Sequence, residues 1–275
     1  MSLIISAAAQ NAIASGMSAQ EAFANGTLEI YSGAQPTNAD TAPNGTLLVT
    51  FTLDGATFTA PIQCIADVAL VGTGGTLDDI AIGGLSATTG FDLLGPAIAN
   101  PGTAAGLVAL AVTQINARSN PFRIVASASG DNILLSAPKM RGDEFNSLEV
   151  FAAATTTTVN VNASGAGATS SEGLGLGTPS QAGVAAANGL NFLKAVAGVM
   201  NKESTTWKGD AGNTGTAAWF RFIAGGHTSA GASTDDIRMD GTTATSGGDM
   251  TLTSTAIASG ATQTINTFTL TVPST

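Results

Sequence analysis

Along much of this chain apolar residues alternate with threonine. In residues 46–53, Leu47, Val49, Phe51 and Leu53 fall on one face of an extended strand, and Thr46, Leu48, Thr50 and Thr52 on the other. Residues 264–272 repeat the pattern, with Phe268, Leu270 and Val272 opposed to Thr267, Thr269 and Thr271. Residues 26–33 and 217–223 read as two more strands, and in the second of them Trp219 stands opposite Phe220 and Phe222 as an expected core anchor. Strands with one apolar and one hydroxyl face pack apolar side to apolar side, and glycine-rich breaks at short intervals supply the turns. The pattern predicts a mainly β protein, an antiparallel β-sandwich of jelly-roll-like character.

Helical spacing is confined to two places. Residues 6–24 are alanine-rich with Ile13, Met17 and Phe23 apolar, and Ser18-Ala19-Gln20-Glu21 matches a capping box. This predicts an N-terminal helical segment, as two short helices or as one broken at Gly16, ended by Asn25-Gly26. Residues 103–118 carry Leu107, Ala111 and Ile115 four apart, with Val108 and Val112 beside them. Short strands broken by Gly72, Gly74, Gly75, Gly83, Gly84, Gly90 and Gly95 precede that helix, and residues 124–127 and 132–136 follow it as a hairpin across Ser129-Gly130-Asp131. Residues 155–183, rich in Thr, Ser, Ala and Gly, read as a long arm with one exposed strand at Val159 and Val161. The expected organisation is therefore residues 1–61 as helical segment and first part of the sandwich, 62–185 as an inserted small α+β domain with the arm, and 186–275 as the second part of the sandwich.

Composition narrows the function classes. Of the 275 residues 44% are hydrophobic and only 10% charged, against a usual charged share of about 25%. The polar surface must come from hydroxyls, amides and backbone, which suits a subunit partly covered by neighbours. All nine Lys and Arg lie at Arg118 or beyond, so the first 117 residues are purely acidic in a chain of net charge -10. Such a segment repels phosphate backbones, and no nucleic-acid partner is expected. No stretch reaches the roughly 20 apolar residues of a membrane span. Met1-Ser2-Leu3-Ile4-Ile5-Ser6 lacks the basic start of a secretory signal, so synthesis in a cytoplasm without export is expected.

Candidate chemistry is thin. One cysteine, Cys64 in Ile62-Gln63-Cys64-Ile65, excludes an internal disulfide framework and reads as a buried small hydrophobe. His227, the only histidine, lies in the loop-like Ala224-Gly225-Gly226-His227-Thr228-Ser229 and reads as a surface residue. A Ser-His-Asp set built on it has no nucleophile elbow to support it. Gly72-Thr73-Gly74-Gly75 lacks the spacing of a phosphate loop. Asp78-Asp79 and Asp235-Asp236 with Asp240 offer oxygen ligands for calcium but match no EF-hand loop, and read as solvated turn carboxylates. One Tyr and two Trp are few for a sugar-cleaving groove. No catalytic, cofactor-binding or metal residue is assigned, and no enzymatic activity or cofactor is expected.

Several segments, in order, carry a resemblance. These are Asn25-Gly26-Thr27-Leu28-Glu29-Ile30-Tyr31-Ser32-Gly33-Ala34-Gln35-Pro36, then Ala39-Asp40-Thr41-Ala42-Pro43-Asn44-Gly45-Thr46-Leu47-Leu48, then Gly215-Thr216-Ala217-Ala218-Trp219-Phe220-Arg221-Phe222. Asp240-Gly241-Thr242, Thr245-Ser246-Gly247-Gly248-Asp249-Met250 and the Thr-rich end complete the order. They resemble a family of small tailed-bacteriophage virion proteins whose usual member is much shorter. It passes from a stretch like Ala56-Thr57-Phe58-Thr59 to one like Asn188-Gly189-Leu190-Asn191-Phe192 after a few residues, where roughly 62–185 intervene here. Within that insert, residues 111–117, 125–128, 135–139 and 142–150 resemble a small α+β domain of phage tail sheaths and other virion proteins. The resemblance implies a virion structural protein that is homo-oligomeric and partnered by major capsid protein or tail proteins. Its leading form is a capsid decoration or cement protein; the alternatives are a tail or neck component and a displayed receptor- or glycan-binding module.

Overall fold

The computed structural model describes residues 3–83, 90–140, 143, 145–146, 148–155, 158–162, 175–177, 180–197, 199–265 and 267–271. The fold is mainly β, with several antiparallel sheets and few helices. In chain order the elements begin with Ile4–Ile5 (β1), Ala7–Ala14 (α1), Ala19–Ala22 (α2), Thr27–Tyr31 (β2) and Leu47–Leu53 (β3). There follow Ile65–Val71 (β4), Thr76–Ile82 (β5), Phe91–Asp92 (β6), Ile98–Ala99 (β7), Ala104–Asn116 (α3), Val125–Ser129 (β8), Asn132–Ser136 (β9), Val150–Thr155 (β10), Thr158–Asn162 (β11) and Gly175–Gly177 (β12). The chain ends through Val199–Asn201 (β13), Trp207–Asp210 (β14), Gly215–Thr216 (β15), Trp219–Ile223 (β16), Arg238–Ala244 (β17), Met250–Thr251 (β18), Ala256–Ile257 (β19), Thr262–Ile265 (β20) and Thr269–Thr271 (β21). Met1–Ala60 and Ala186–Thr275 form one compact unit, and Pro61–Ala185 a second.

The first unit is built on a sheet ordered β1-β17-β16-β2-β3-β14-β20, with β18 paired to the far end of β17. Cross-strand partners share a face. Leu28 lies opposite Phe51 and Phe222, Ile30 opposite Val49 and Phe220, and Phe222 opposite Met239. All seven are buried. Trp207, opposite Leu53, continues this face. Phe192 closes over it, 5.4 Å from the Trp207 ring and 5.1 Å from that of Phe222, and Phe268 packs 5.3 Å from Phe220. Aromatic contacts at such spacings add to area burial, and with the small β13–β21 pair they make a sandwich-like core.

Local chemistry places the ends. Ser18 accepts from the Glu21 amide and Glu21 answers to the Ser18 amide, so α2 starts at the expected capping box. Asn25, at φ 53, takes the left-handed turn into β2. A Cβ on the following Gly26 would come within 2.3 Å of the Ile223 carbonyl oxygen, so glycine is required there by close packing.

Two strand readings are corrected. Ile30 pairs with Val49 but Tyr31 with Leu47, so a bulge makes Leu48 the extra residue. Leu48 is accordingly 1% exposed and Leu47 37%, the reverse of the alternation read from the sequence, because a bulge flips every side chain on one side of it. The expected closing strand over 264–272 is two strands: β20 pairs with β14, and β21 with β13. The chain changes partner between them and buries Phe268 there.

The second unit holds a sheet ordered β11-β4-β9-β8 and another ordered β12-β10-β5-β6, with β7 also on β5. Helix α3 starts at Thr103, whose hydroxyl accepts from the Gly106 amide, and buries Leu107, Val108, Ala111 and Ile115 as its spacing requires. Those side chains join Val68, Leu70, Leu77, Ile80, Ile133, Leu135 and Val150 in one mainly aliphatic core. The Asn116 amide pins β8 by donating to the Ala126 carbonyl at 2.8 Å and accepting from its N–H at 2.9 Å. Gly130, at φ 60, makes the β8–β9 hairpin turn. The arm expected over 155–183 lies mostly outside the described residues, though the backbone of β11 pairs with β4 and that of β12 with β10.

Candidate functional site

The reverse face of the first unit's sheet carries charges where an exposed hydroxyl face is expected. Register places Glu29 opposite Arg221 and Arg221 opposite Asp240, with Tyr31 opposite Trp219. Arg221, Arg238 and Asp240 are each 0% exposed. The Arg221 guanidinium grips Asp240 with two parallel bonds, Nε to Oδ1 and Nη2 to Oδ2, both 2.7 Å, and its Nη1 donates to the Thr41 carbonyl at 3.0 Å. A bidentate pair of this kind has the geometry that best offsets the cost of burying charge. The Trp219 ring stacks on Tyr31 at 4.5 Å and 11°, and Arg221 lies 5.5 Å from its centroid, completing a cation–π contact.

Arg238 is held by a loop. Its Nε donates to the Thr228 carbonyl at 2.7 Å, Nη1 to that of Gly231 at 3.0 Å, and Nη2 to Asp236 Oδ2 at 3.0 Å. The same loop is fastened through Ser229, whose hydroxyl donates to Glu29 at 3.2 Å, and through the Ser233 amide, which donates to the Asp40 carbonyl at 2.8 Å. Glu29 also accepts from the Tyr31 hydroxyl at 2.5 Å. Burial, and after it the Glu29 charge, push the Tyr31 pKa far up, so the phenol stays protonated.

This overturns two sequence readings. His227 is not a surface residue: its side chain is 6% exposed, with Nδ1 3.3 Å from Asp236 Oδ1. The loop folds back over Arg238 and carries the imidazole inward. Asp236 and Asp240 are not solvated turn carboxylates but the counter-ions of the two arginines, while Asp235 is exposed. Burial pushes the Asp240 carboxyl up against the pull of Arg221. Burial acts the same way on Asp236, but bonds from Ser233 and the Thr228 amide, with the Arg238 charge and His227, outweigh it and hold its pKa below the usual carboxylate value.

The arrangement is a structural staple rather than reaction chemistry. Both guanidiniums spend their donors on carboxylates and carbonyls of the chain, which leaves no clamp for an anionic substrate. Ser229 directs its hydroxyl at Glu29. Asp78 accepts from the hydroxyls of Thr76 and Thr155 at 2.7 and 2.6 Å. Among the described residues no group of three or more His, Cys, Asp or Glu is placed to hold a metal ion. Cys64 is buried in the second unit, where burial pushes its thiol pKa up and away from reactivity. Gly72 and Gly75, both at positive φ, form the turn from β4 to β5. Gln35, inside the Tyr-Ser-Gly-Ala-Gln-Pro segment, is 6% exposed, and neither its amide nitrogen nor its oxygen has a hydrogen-bond partner among the described residues.

The first unit also bears an open trough. Thr245, Thr251, Leu252, Thr264, Ile265 and Thr267 are among the residues lining a cavity of about 340 Å³. A second depression of about 150 Å³ shares Thr251 and Thr267 and extends the trough towards Asp249 and Thr269. The sequence missed both features. A charge inside the aromatic run Trp219-Phe220-Arg221-Phe222 was the available signal for a buried pair, whereas nothing local marks the trough.

Compared with known proteins, the chain matches no family model, no curated protein and no solved structure. No described helix is long and apolar enough to cross a membrane.

Proposed function

We propose that this chain is a non-enzymatic structural component of a tailed-phage virion, and within the particle a decoration protein that cements the head shell. The observation that supports the reading is where the resembling segments lie. Residues 25–36, 39–48, 215–222 and 240–250 flank a long insert, yet all belong to the first unit. They also supply most of one buried network, through Glu29, Tyr31, Thr41, Trp219, Arg221 and Asp240. A core this demanding in its partners is one that a short, insert-free member would also need.

The mechanism is added interface. A standard specific contact buries on the order of 1,600 Å², and many copies bridging neighbouring shell subunits sum to resistance against the pressure of packaged DNA. A chain of which only 10% of residues are charged docks through apolar and hydroxyl contacts, so attachment should persist at about 1 M salt, where the Debye length falls to about 3 Å. Particles lacking the protein should assemble but release DNA at lower temperature, and adding it back should restore the wild-type release profile. Unchanged release would remove the cement reading. A tail or neck position is the second reading, favoured by the helix and hairpin order of α3, β8 and β9 in the insert.

A further inference from the structure

Three Asn-Gly pairs occur in the chain, Asn25-Gly26, Asn44-Gly45 and Asn188-Gly189, and all lie in the first unit. Glycine after asparagine makes that asparagine chemically labile, because the glycine nitrogen can reach the side-chain carbonyl carbon and no Cβ obstructs ring closure. The fold ties down two of the three. Asn25 stands at φ 53, its Oδ1 accepts from Asn191 Nδ2 at 3.3 Å, and the Gly26 N–H is spent on the Leu190 carbonyl at 3.0 Å. Asn188 stands at φ 58 with its Nδ2 donating to the Thr57 carbonyl at 2.9 Å, and a Cβ on Gly189 would lie 2.7 Å from Asn25 Cα, which leaves that peptide no room to swing. Asn44 differs. It is exposed together with Gly45, and neither its side chain nor the Gly45 N–H makes a hydrogen bond among the described residues.

We propose that Asn44 is a site of spontaneous covalent modification, selected from the three pairs by the fold. The Gly45 nitrogen attacks Asn44 Cγ, so an N–Cγ bond forms, the Cγ–Nδ2 bond breaks, and ammonia leaves with the proton that the Gly45 nitrogen gives up. Water then opens the five-membered succinimide. Opening at Cγ yields aspartate and restores the backbone, whereas opening at the main-chain carbonyl yields isoaspartate, with one extra carbon in the backbone. Both products add one carboxylate to the loop. Only isoaspartate lengthens the chain, and there is little slack at this point. Gly45, at φ 84, packs so closely that a Cβ would fall 1.8 Å from the Ser32 carbonyl oxygen. The next residue, Thr46, accepts from the Ser32 amide at 3.0 Å and donates its own amide to Ser32 Oγ at 3.1 Å. An extra atom just before this pair separates Ser32 from Thr46 and loosens the entry to β3. The reaction needs only water, so it proceeds in the isolated chain as in any assembly.

The test incubates the full chain at mildly alkaline pH, folded and in guanidinium, and follows the three sites by peptide mass spectrometry, with an isoaspartyl methyltransferase reporting the isoaspartate fraction. In the folded protein Asn44 should convert at least about tenfold faster than Asn25 and Asn188. In guanidinium the three should convert at similar rates. Hydroxylamine, which cleaves the succinimide, should cut the folded chain between residues 44 and 45 and leave the other two pairs intact, and Asn44→Gln should abolish the cut. The chain carrying isoaspartate at position 44 should exchange its Ser32 and Thr46 amides faster than Asn44→Asp, which has the same charge without the extra atom. Equal exchange would overturn the loosening of β3. Conversion of Asn44 no faster than that of Asn25 and Asn188 in the folded protein overturns the site itself, and so does a tenfold lead that persists in guanidinium, since the selection would then lie in the sequence and not in the fold.

Discussion

The two units bury different chemistry. In the second unit the core is mainly aliphatic, with Leu107, Val108 and Ile115 of the helix set against Val68, Leu70, Ile133 and Leu135 of the strands, and with Phe145 as its aromatic member. In the first, one face of the sheet is aromatic and the other holds two guanidiniums with their carboxylates. An aliphatic core needs only volume and pattern and tolerates exchange among similar side chains. An ionic one needs particular partners in particular places, because each buried charge is costly once its counter-ion is lost. The first unit should therefore fail abruptly under single substitutions that the second would absorb by degrees.

The sharpest contrast should come from Arg221→Met. It strands Asp240 in a fully buried position, and a loss of about 3–5 kcal/mol is expected in denaturant unfolding of the first unit. The double variant Arg221→Met with Asp240→Leu should recover most of that loss, since a well-packed apolar pair can replace a buried ion pair. Failure of the double variant to recover would mean that the pair contributes net stability beyond satisfying its own charges. In the second unit Leu107→Ala should cost about 2–5 kcal/mol through cavity formation, read from exchange of the core amides. Leu107→Met should cost less than about 1.5 kcal/mol.

Gln35→Met should act in the opposite direction. The substitution removes two buried polar atoms that have no partner among the described residues, and a gain of about 1 kcal/mol is expected in thermal or urea unfolding. A loss instead would indicate that the amide is satisfied by a bound molecule.

The smallest effect concerns acid. Asp236 titrates below its unfolded value, so the stability it contributes is complete above about pH 4 and is lost as pH falls through its folded pKa. Asp236→Asn should be less stable than wild type near neutrality and should show a shallower decline of first-unit stability between about pH 5 and pH 2. Equal slopes in urea midpoints taken across that range would remove Asp236 from the acid response.

What the sequence disclosed follows the same division. Period-four spacing located α3 and its buried residues, the Ser18 and Glu21 capping box located α2, and Ser129-Gly130-Asp131 located the β8–β9 turn. Each depends on neighbours within a turn or two of chain. The alternation of β3 was legible from Val49 onward and misleading before it, because the bulge at Leu48 is set by pairing with β2. The inward turn of His227 and the pairing of Asp236 and Asp240 with arginines were not legible, since loop composition does not say what a loop folds over.

The measurement that bears most directly on the whole account is a reconstruction of phage particles containing this chain, with the copies counted. A decoration protein should appear there as density for the first unit in hundreds of copies on the outer face of the head shell. A dozen or fewer copies at a single vertex or along the tail would contradict the decoration role, and absence of the chain from purified particles would contradict the virion assignment altogether.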